Sequence, residues 1–164
     1  MEIKVILAAL VVVVGAALLL LLYPIFHPMQ PLTPNNVVVP TRTVTIGSTT
    51  IAVEVADTEA AREQGLSGKT SLASGTGMLF VFQQPGTYGF WMKDMNFSLD
   101  MIFADASGRI VSVDQDLSPQ TYNTQNPGSS EIFYPSKPIV YVLEVPAGYA
   151  AAHGISQGMQ LVVQ

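Results

Sequence analysis

The chain has 164 residues, a formal net charge of −5 and no cysteine. Its length predicts one globular domain with an appendage. The lack of cysteine excludes disulfides, zinc–thiolate sites, iron–sulfur clusters and cysteine nucleophiles. Only seven Lys and Arg residues are present, and they are scattered, whereas a nucleic-acid surface needs clustered basic residues. We therefore expect no nucleic-acid partner.

An apolar segment opens the sequence and a proline-rich stretch follows it. No charged residue lies between Val5 and Tyr23, and about 20 apolar residues are enough for a helix to cross the membrane's hydrocarbon core. We predict a transmembrane anchor over residues 1–23. Because the next stretch has five prolines, we predict a semi-extended tether over residues 24–40. The alternative is a cleaved signal peptide, whose apolar region usually has only about 7–15 residues and ends at a small-x-small site.

The basic residues around the apolar segment predict its orientation. Lys4 precedes the segment, whereas the next Lys or Arg after it is Arg42. Positive charge favours the cytoplasmic side of a membrane. We therefore expect a single-pass protein of the cell membrane whose C-terminal domain lies outside the cytoplasm.

From residue 41 onward the pattern is mostly that of β-strands. Apolar and polar residues alternate on both sides of Gly47-Ser48, which predicts a hairpin. Thr58–Gln64 begins with a capping residue and is followed by Gly65, as expected for a short helix. Further strand candidates are GMLFVF (77–82), FWMK (90–93), LDMIFA (99–104), RIVSVDQ (109–115), IVYVLEV (139–145) and MQLVVQ (159–164). We predict a mostly β fold for residues 41–164, a single β-sandwich or barrel-like domain with one or two short helices.

The segment from Asp116 to Pro138 differs from the rest in being rich in Pro, Ser, Asn, Gln and Tyr. A connection of this length without regular structure is often a functional loop. It could equally be a surface excursion that Tyr122, Phe133 and Tyr134 hold against the sheet. Both interpretations stay open on the sequence alone.

Two motifs that could carry chemistry have simpler interpretations. Gly65–Thr70, GLSGKT, resembles a phosphate-binding loop, but Glu63 stands where that motif needs its first glycine, and the motif follows a helix here. His153, the only histidine beyond residue 40, has no ligand spacing or nucleophile beside it. We expect a polar residue at a helix end, and we expect neither a metal nor another cofactor.

The segment from Phe90 to Phe103, FWMKDMNFSLDMIF, holds the only tryptophan and a lysine among large apolar residues. In a strand, alternate residues share a face, and the odd-numbered face of this segment is apolar except for Lys93. We therefore predict that Trp91 and Lys93 are buried, with Asp94 or Asp100 as the salt-bridge partner of Lys93. The pair could be structural, or it could form a Lys–Asp site in an aromatic cleft. The candidate cleft consists of Trp91, Lys93, Asp94, Asp100 and Tyr122.

Five stretches in order, REQGLSGKTSL, GMLFVF, FWMKDMNFSLDMIFAD, YVLEVPAG and GISQGM, together resemble the domain-of-unknown-function-192 family. The resemblance covers residues 44–163. It implies a small, often exported domain with a β-sandwich-like fold and no assigned activity, and it supplies no catalytic residues. Family members usually carry Asn-Thr at Asp94-Met95, Pro-Leu-Asp at Ser98–Asp100 and Gly-Asp at Gly158-Met159, so Met159 removes a carboxylate from this chain.

Three functions compete at this point. The first is a membrane-tethered module that binds a small ligand or an envelope partner. The second is a structural or assembly protein that docks another protein, and the third, less favoured, is a hydrolase that uses Lys93 and Asp100. A deep cleft with converging polar groups would favour ligand binding or catalysis, whereas a flat apolar patch would favour docking.

Overall fold

The computed structural model describes residues 41–164, so the predicted anchor (1–23) and tether (24–40) lie outside the described residues. Among the residues described, no helix has the length and apolar character needed to cross a membrane. The strands are β1 (Thr41–Ile46), β2 (Thr49–Ala56), β3 (Thr76–Gly86), β4 (Leu99–Ala104), β5 (Ile110–Leu117), β6 (Ile139–Pro146) and β7 (Leu161–Val163). The α-helices are α1 (Glu59–Gln64) and α2 (Tyr149–Ala152), and two 3-10 helices span Pro119–Thr121 and Pro127–Ser129.

The local signals at the start of the domain form the predicted elements. β1 and β2 pair antiparallel around Gly47, whose φ of 59° suits a tight turn. Thr58 caps α1, because its Oγ1 accepts a hydrogen bond of 3.2 Å from the Ala61 N–H. Gly65, with φ of 48°, ends the helix. The predicted hairpin and short helix are therefore confirmed.

The strands form one sheet in the order β5-β4-β6-β3-β2-β1-β7. β2 and β3 run parallel because α1 carries the chain back between them. The sheet curls so that its two ends touch at one place, where the Leu161 N–H donates to the Gly108 carbonyl at 2.8 Å and Arg109 forms an isolated bridge with Gln160. The mostly β prediction is confirmed, and its architecture is a single curled half-barrel sheet with two short helices rather than two stacked sheets.

Each side of the curled sheet carries its own hydrophobic core. The inner core takes residues from every strand, among them Val44, Leu79 and Leu143, and it includes Tyr149 and Ala150 of α2. The outer core lies on the other side, and α1 and the long loops cover it. Its buried members are Ala56, Leu66, Met78, Phe80, Met92, Leu99, Met101, Phe103, Val111, Phe133, Ile139 and Val142.

The predicted strand FWMK (90–93) is wrong, since only Phe90 forms a bridge there, to Phe133. The segment between β3 and β4 instead crosses the outer core as an irregular cover, in which Met92 is buried. Asp94 then adopts a φ of 55°, a left-handed conformation in the turn that follows Met92. On the long loop, Phe133 is buried in the outer core and Tyr122 packs against that core, as expected for a surface excursion, whereas Tyr134 is 60% exposed.

Candidate functional site

A cavity of about 280 Å³ lies between α1, the cover segment and the outer side of the sheet. Helix α1 and the turn after it form one wall, the cover segment forms the other, and β3 and β6 form the floor. The lining residues are Glu59, Arg62, Glu63, Gln64, Gly65, Leu66, Ser67, Phe80, Phe82, Tyr88, Gly89, Phe90, Trp91, Lys93, Met95 and Glu144. The cavity is thus mostly apolar and aromatic, with a few polar groups, as small-molecule sites usually are.

Aromatic rings give the cavity a fixed wall. Phe80 meets Phe90 edge to face with ring centroids 5.1 Å apart, and Tyr88 stacks on Phe82 at 3.7 Å. The Tyr88 hydroxyl also donates to the Gln84 carbonyl at 2.8 Å. These contacts hold the rings in place before any ligand arrives, which lowers the entropy cost of binding.

Arg62 of α1 is held by hydrogen bonds at the side of the cavity. Its Nη1 donates to the Asp57 carbonyl at 2.7 Å and to the Val81 carbonyl at 2.9 Å. Its guanidinium carbon lies 5.1 Å from the centroid of the Phe82 ring, within the range of a cation–π interaction. The guanidinium is therefore already engaged with the protein.

Glu144 lies on the cavity floor and is the polar residue that sequence reasoning missed. It lies on β6 opposite Met78 of β3 and Met101 of β4, and it is only 5% exposed. Among residues 41–164, nothing forms a salt bridge with its carboxylate, and burial alone raises its pKa to about 8. An uncompensated acid in an apolar site is costly to ionise, so Glu144 is mainly neutral at pH 7.

Asp100 performs a structural task on the other side of the sheet. It is 0% exposed, and its Oδ1 accepts from the Asp116 and Gly148 N–H groups at 2.9 and 3.1 Å. Its Oδ2 accepts from the Ala150 N–H at 2.8 Å. One carboxylate therefore caps α2 and also accepts the hydrogen bond of the Asp116 backbone N–H. Asp116 lies where β5 is irregular, with a φ of 54°.

The predicted burial of Trp91 and Lys93 is wrong, and so is the predicted salt bridge. Trp91 is 48% exposed, Lys93 is exposed, and the salt bridge that residues 41–164 contain joins Lys69 to Glu54 instead. The apolar odd-numbered face came from residues of β4, which follow the left-handed Asp94 and therefore do not continue the alternation of the cover segment. Before Asp94 the even positions Phe90 and Met92 pack against the outer core, whereas after it the odd positions Met95 and Phe97 do so.

The candidate cleft residues separate into two groups. Trp91 and Lys93 line the cavity, whereas Asp94, Asp100 and Tyr122 do not. Asp94 is exposed in a turn, and its carbonyl accepts a hydrogen bond from the Gly68 N–H at 2.9 Å. Lys93 and Asp100 therefore do not meet as a catalytic pair.

The GLSGKT stretch and His153, the two motifs with simpler interpretations, each make contacts within the domain. Lys69 of the GLSGKT stretch is engaged with Glu54, with a distance of 2.7 Å between Nζ and Oε1. His153 is exposed at the end of α2, as predicted, where its ring lies against Tyr149 with centroids 4.1 Å apart. Within the part of the chain that the structure describes, no group of three or more His, Asp or Glu side chains could hold a metal ion.

The single curled sheet and its two short helices make this a small, mostly β domain. The chain belongs to the DUF192 family, described as "Uncharacterized ACR", whose profile matches residues 42–163. The suspected family is therefore confirmed. No curated protein matches the chain.

Two solved structures share the fold. One is a protein of Sinorhizobium meliloti, provisionally described as a transcription regulator, with 30% identity and a TM-score of 0.67; the match covers 76% of this chain and 94% of that one. The other is a protein of unknown function from Novosphingobium aromaticivorans, with 25% identity and a TM-score of 0.67, and the match covers 83% and 94% of the two chains.

Proposed function

We propose that this domain is a binding module for a small molecule, which enters the cavity beside α1 and contacts Glu144. One observation carries the proposal: the Glu144 side chain lines the cavity and is buried without a salt bridge in residues 41–164. A buried polar group normally has a partner, and a ligand would supply one.

The walls support the same function. Their aromatic rings offer apolar surface in a fixed arrangement, while Lys93 and Glu63 offer charge at the side of the cavity. A pocket of this kind, with few convergent polar groups and one strongly shifted acid, is the usual form of a ligand site.

Trp91 provides the test. It is the only tryptophan of the chain and lines the cavity. All tryptophan fluorescence therefore comes from the wall of the cavity. We expect titration of the full chain with small amines, alcohols and carboxylates to reveal compounds that shift the Trp91 emission in a saturable way. The shift reflects displacement of water from the ring.

A pair of serine variants provides the control for this titration. The Ser67 hydroxyl donates to the Lys93 carbonyl at 3.0 Å, and the Ser136 hydroxyl donates to the Val111 carbonyl at 2.9 Å. Only Ser67 lines the cavity. Ser67→Phe should weaken binding about tenfold or more by filling space, a loss of about 1.4 kcal/mol, whereas Ser136→Phe should leave it unchanged. Equal weakening by both variants would contradict the proposed place of binding.

Docking of another protein is the second candidate function. Across the Phe90–Phe133 bridge, the exposed side chains of Trp91, Ile132 and Tyr134 come from neighbouring positions. Exposed apolar side chains that gather in this way support a contact with another protein. The fluorescence titration separates the two candidates, because a docking surface gives no saturable response to small molecules.

We further propose that residues 1–23 anchor the domain to the cell membrane, with the domain outside the cytoplasm. The support is the uncharged run from Val5 to Tyr23 and the charge of Lys4. We expect the full-length protein to stay in the membrane fraction after a carbonate wash, and its domain to be open to added protease in intact cells. Recovery of a mature form that begins near residue 24 would instead show a cleaved signal peptide.

A further inference from the structure

We infer that the ligand of the cavity is a small organic cation, whose charge pairs with the Glu144 carboxylate among the aromatic rings. The inference rests on the proposed binding function and names its chemical class. Three observations lead to it: the unpaired acid on the floor, the rings around it and the charge balance of the lining.

The position of Glu144 on the cavity floor favours a positively charged ligand. Glu144 sits between Met78 and Met101 of the neighbouring strands, where thioether and hydrocarbon groups cannot stabilise a negative charge. A cation that enters the cavity restores the ionised state of the acid, because the two charges attract strongly where water is scarce. The ionised acid would repel an anion, and a neutral ligand would gain only a hydrogen bond.

The rings favour a cation as well. The face of an aromatic ring carries partial negative charge and attracts ammonium groups, and Trp does so most strongly. Phe82 illustrates this within the same cavity, since the Arg62 guanidinium lies 5.1 Å from its centroid. Tyr88 is stacked on Phe82, which covers one face of each ring, and Phe80, Phe90 and Trp91 also line the cavity.

The other charges of the lining balance one another. The cavity is also lined by two acids, Glu59 and Glu63 of α1, and by two bases, Arg62 of α1 and Lys93 of the cover segment. Tyr88 is the further titratable group in the lining. Because the two acids and two bases offset each other, the ionised Glu144 gives the cavity a net negative charge, which selects for cations.

Four probes of similar shape test the inference on the full chain: benzylamine, benzyltrimethylammonium, benzyl alcohol and benzoate. With Trp91 fluorescence as the readout, we expect both cations to bind at least about tenfold more tightly than benzyl alcohol at pH 8, the scale of a desolvated cation–π contact with a charge partner. Glu144→Gln should abolish this preference while benzyl alcohol still binds. Asp114→Asn, which changes a half-buried acid outside the cavity, should preserve it.

The permanent cation adds a pH test. Its affinity should rise about tenfold per pH unit from pH 6 towards pH 8 and then level off, because it binds the ionised acid; in Glu144→Gln this rise should vanish. If alcohol or benzoate binds as well as the cations, the inference fails and the binding function stands. If no probe of any charge changes the fluorescence, both are overturned.

Discussion

Asp100→Ala should lower the free energy of unfolding by about 3–5 kcal/mol. The substitution leaves three N–H groups, those of Asp116, Gly148 and Ala150, without their acceptor, and each unsatisfied buried donor costs about 1–3 kcal/mol. The end of β5 and the start of α2 then lose the carboxylate that accepts hydrogen bonds from both. Urea unfolding at pH 7, followed by circular dichroism, measures the effect.

Two asparagine variants control for the loss of charge. Asp100→Asn keeps one carbonyl oxygen as an acceptor and should lose less stability than Asp100→Ala, although its NH2 group cannot accept a hydrogen bond. Asp94→Asn should change the free energy of unfolding by less than about 0.5 kcal/mol, because Asp94 is exposed and asparagine tolerates its φ of 55°. A loss below about 1 kcal/mol in Asp100→Ala would show that the three N–H groups find other partners.

Glu144→Gln should remove most of the pH dependence of stability between pH 5.5 and pH 8. Burial raises the pKa of Glu144 from 4.5 to about 8, so the folded protein binds the proton more tightly than the unfolded chain does. Stability must therefore fall as pH rises through this window. With these pKa values the loss in the unmodified protein is about 3 kcal/mol between pH 5.5 and pH 8.

Thermal and urea unfolding at several pH values tests this expectation. The variant should be more stable than the unmodified protein at pH 8, and the difference should shrink towards pH 5.5. Asp114→Asn is the matched control, because burial also raises the pKa of Asp114, although that residue lies outside the cavity; it should keep the slope of the unmodified protein. A slope unchanged in Glu144→Gln would mean that another group titrates in this window.

Local signals predicted most of the elements but not their arrangement. The hairpin at Gly47, the cap at Thr58 and the strands β4 and β6 follow from residues that are close in sequence. The strand order and the curl depend on pairings between distant residues, such as β1 with β7. No periodicity within one segment contains that information, so one curled sheet and two stacked sheets could not be told apart.

The candidate site was predicted only in part, for two physical reasons. Trp91 and Lys93 drew attention because of their residue types, and they do line the cavity, but the left-handed Asp94 broke the alternation used to judge their burial. Glu144 went unnoticed because both sides of β6 are covered by a hydrophobic core. Apolar and polar residues therefore do not alternate in IVYVLEV, and the pattern does not indicate which side the acid faces. That acid in an otherwise apolar strand was the available signal.

The meeting of the two ends of the sheet has a consequence for the time at which the domain folds. β7 pairs with β1, more than 100 residues earlier in the chain, and the residues just before it bind the start of β5. The inner core therefore stays open during synthesis until about residue 163 has left the ribosome. Contacts between such distant residues form slowly, so the inner core closes only after all seven strands of the domain have been synthesised.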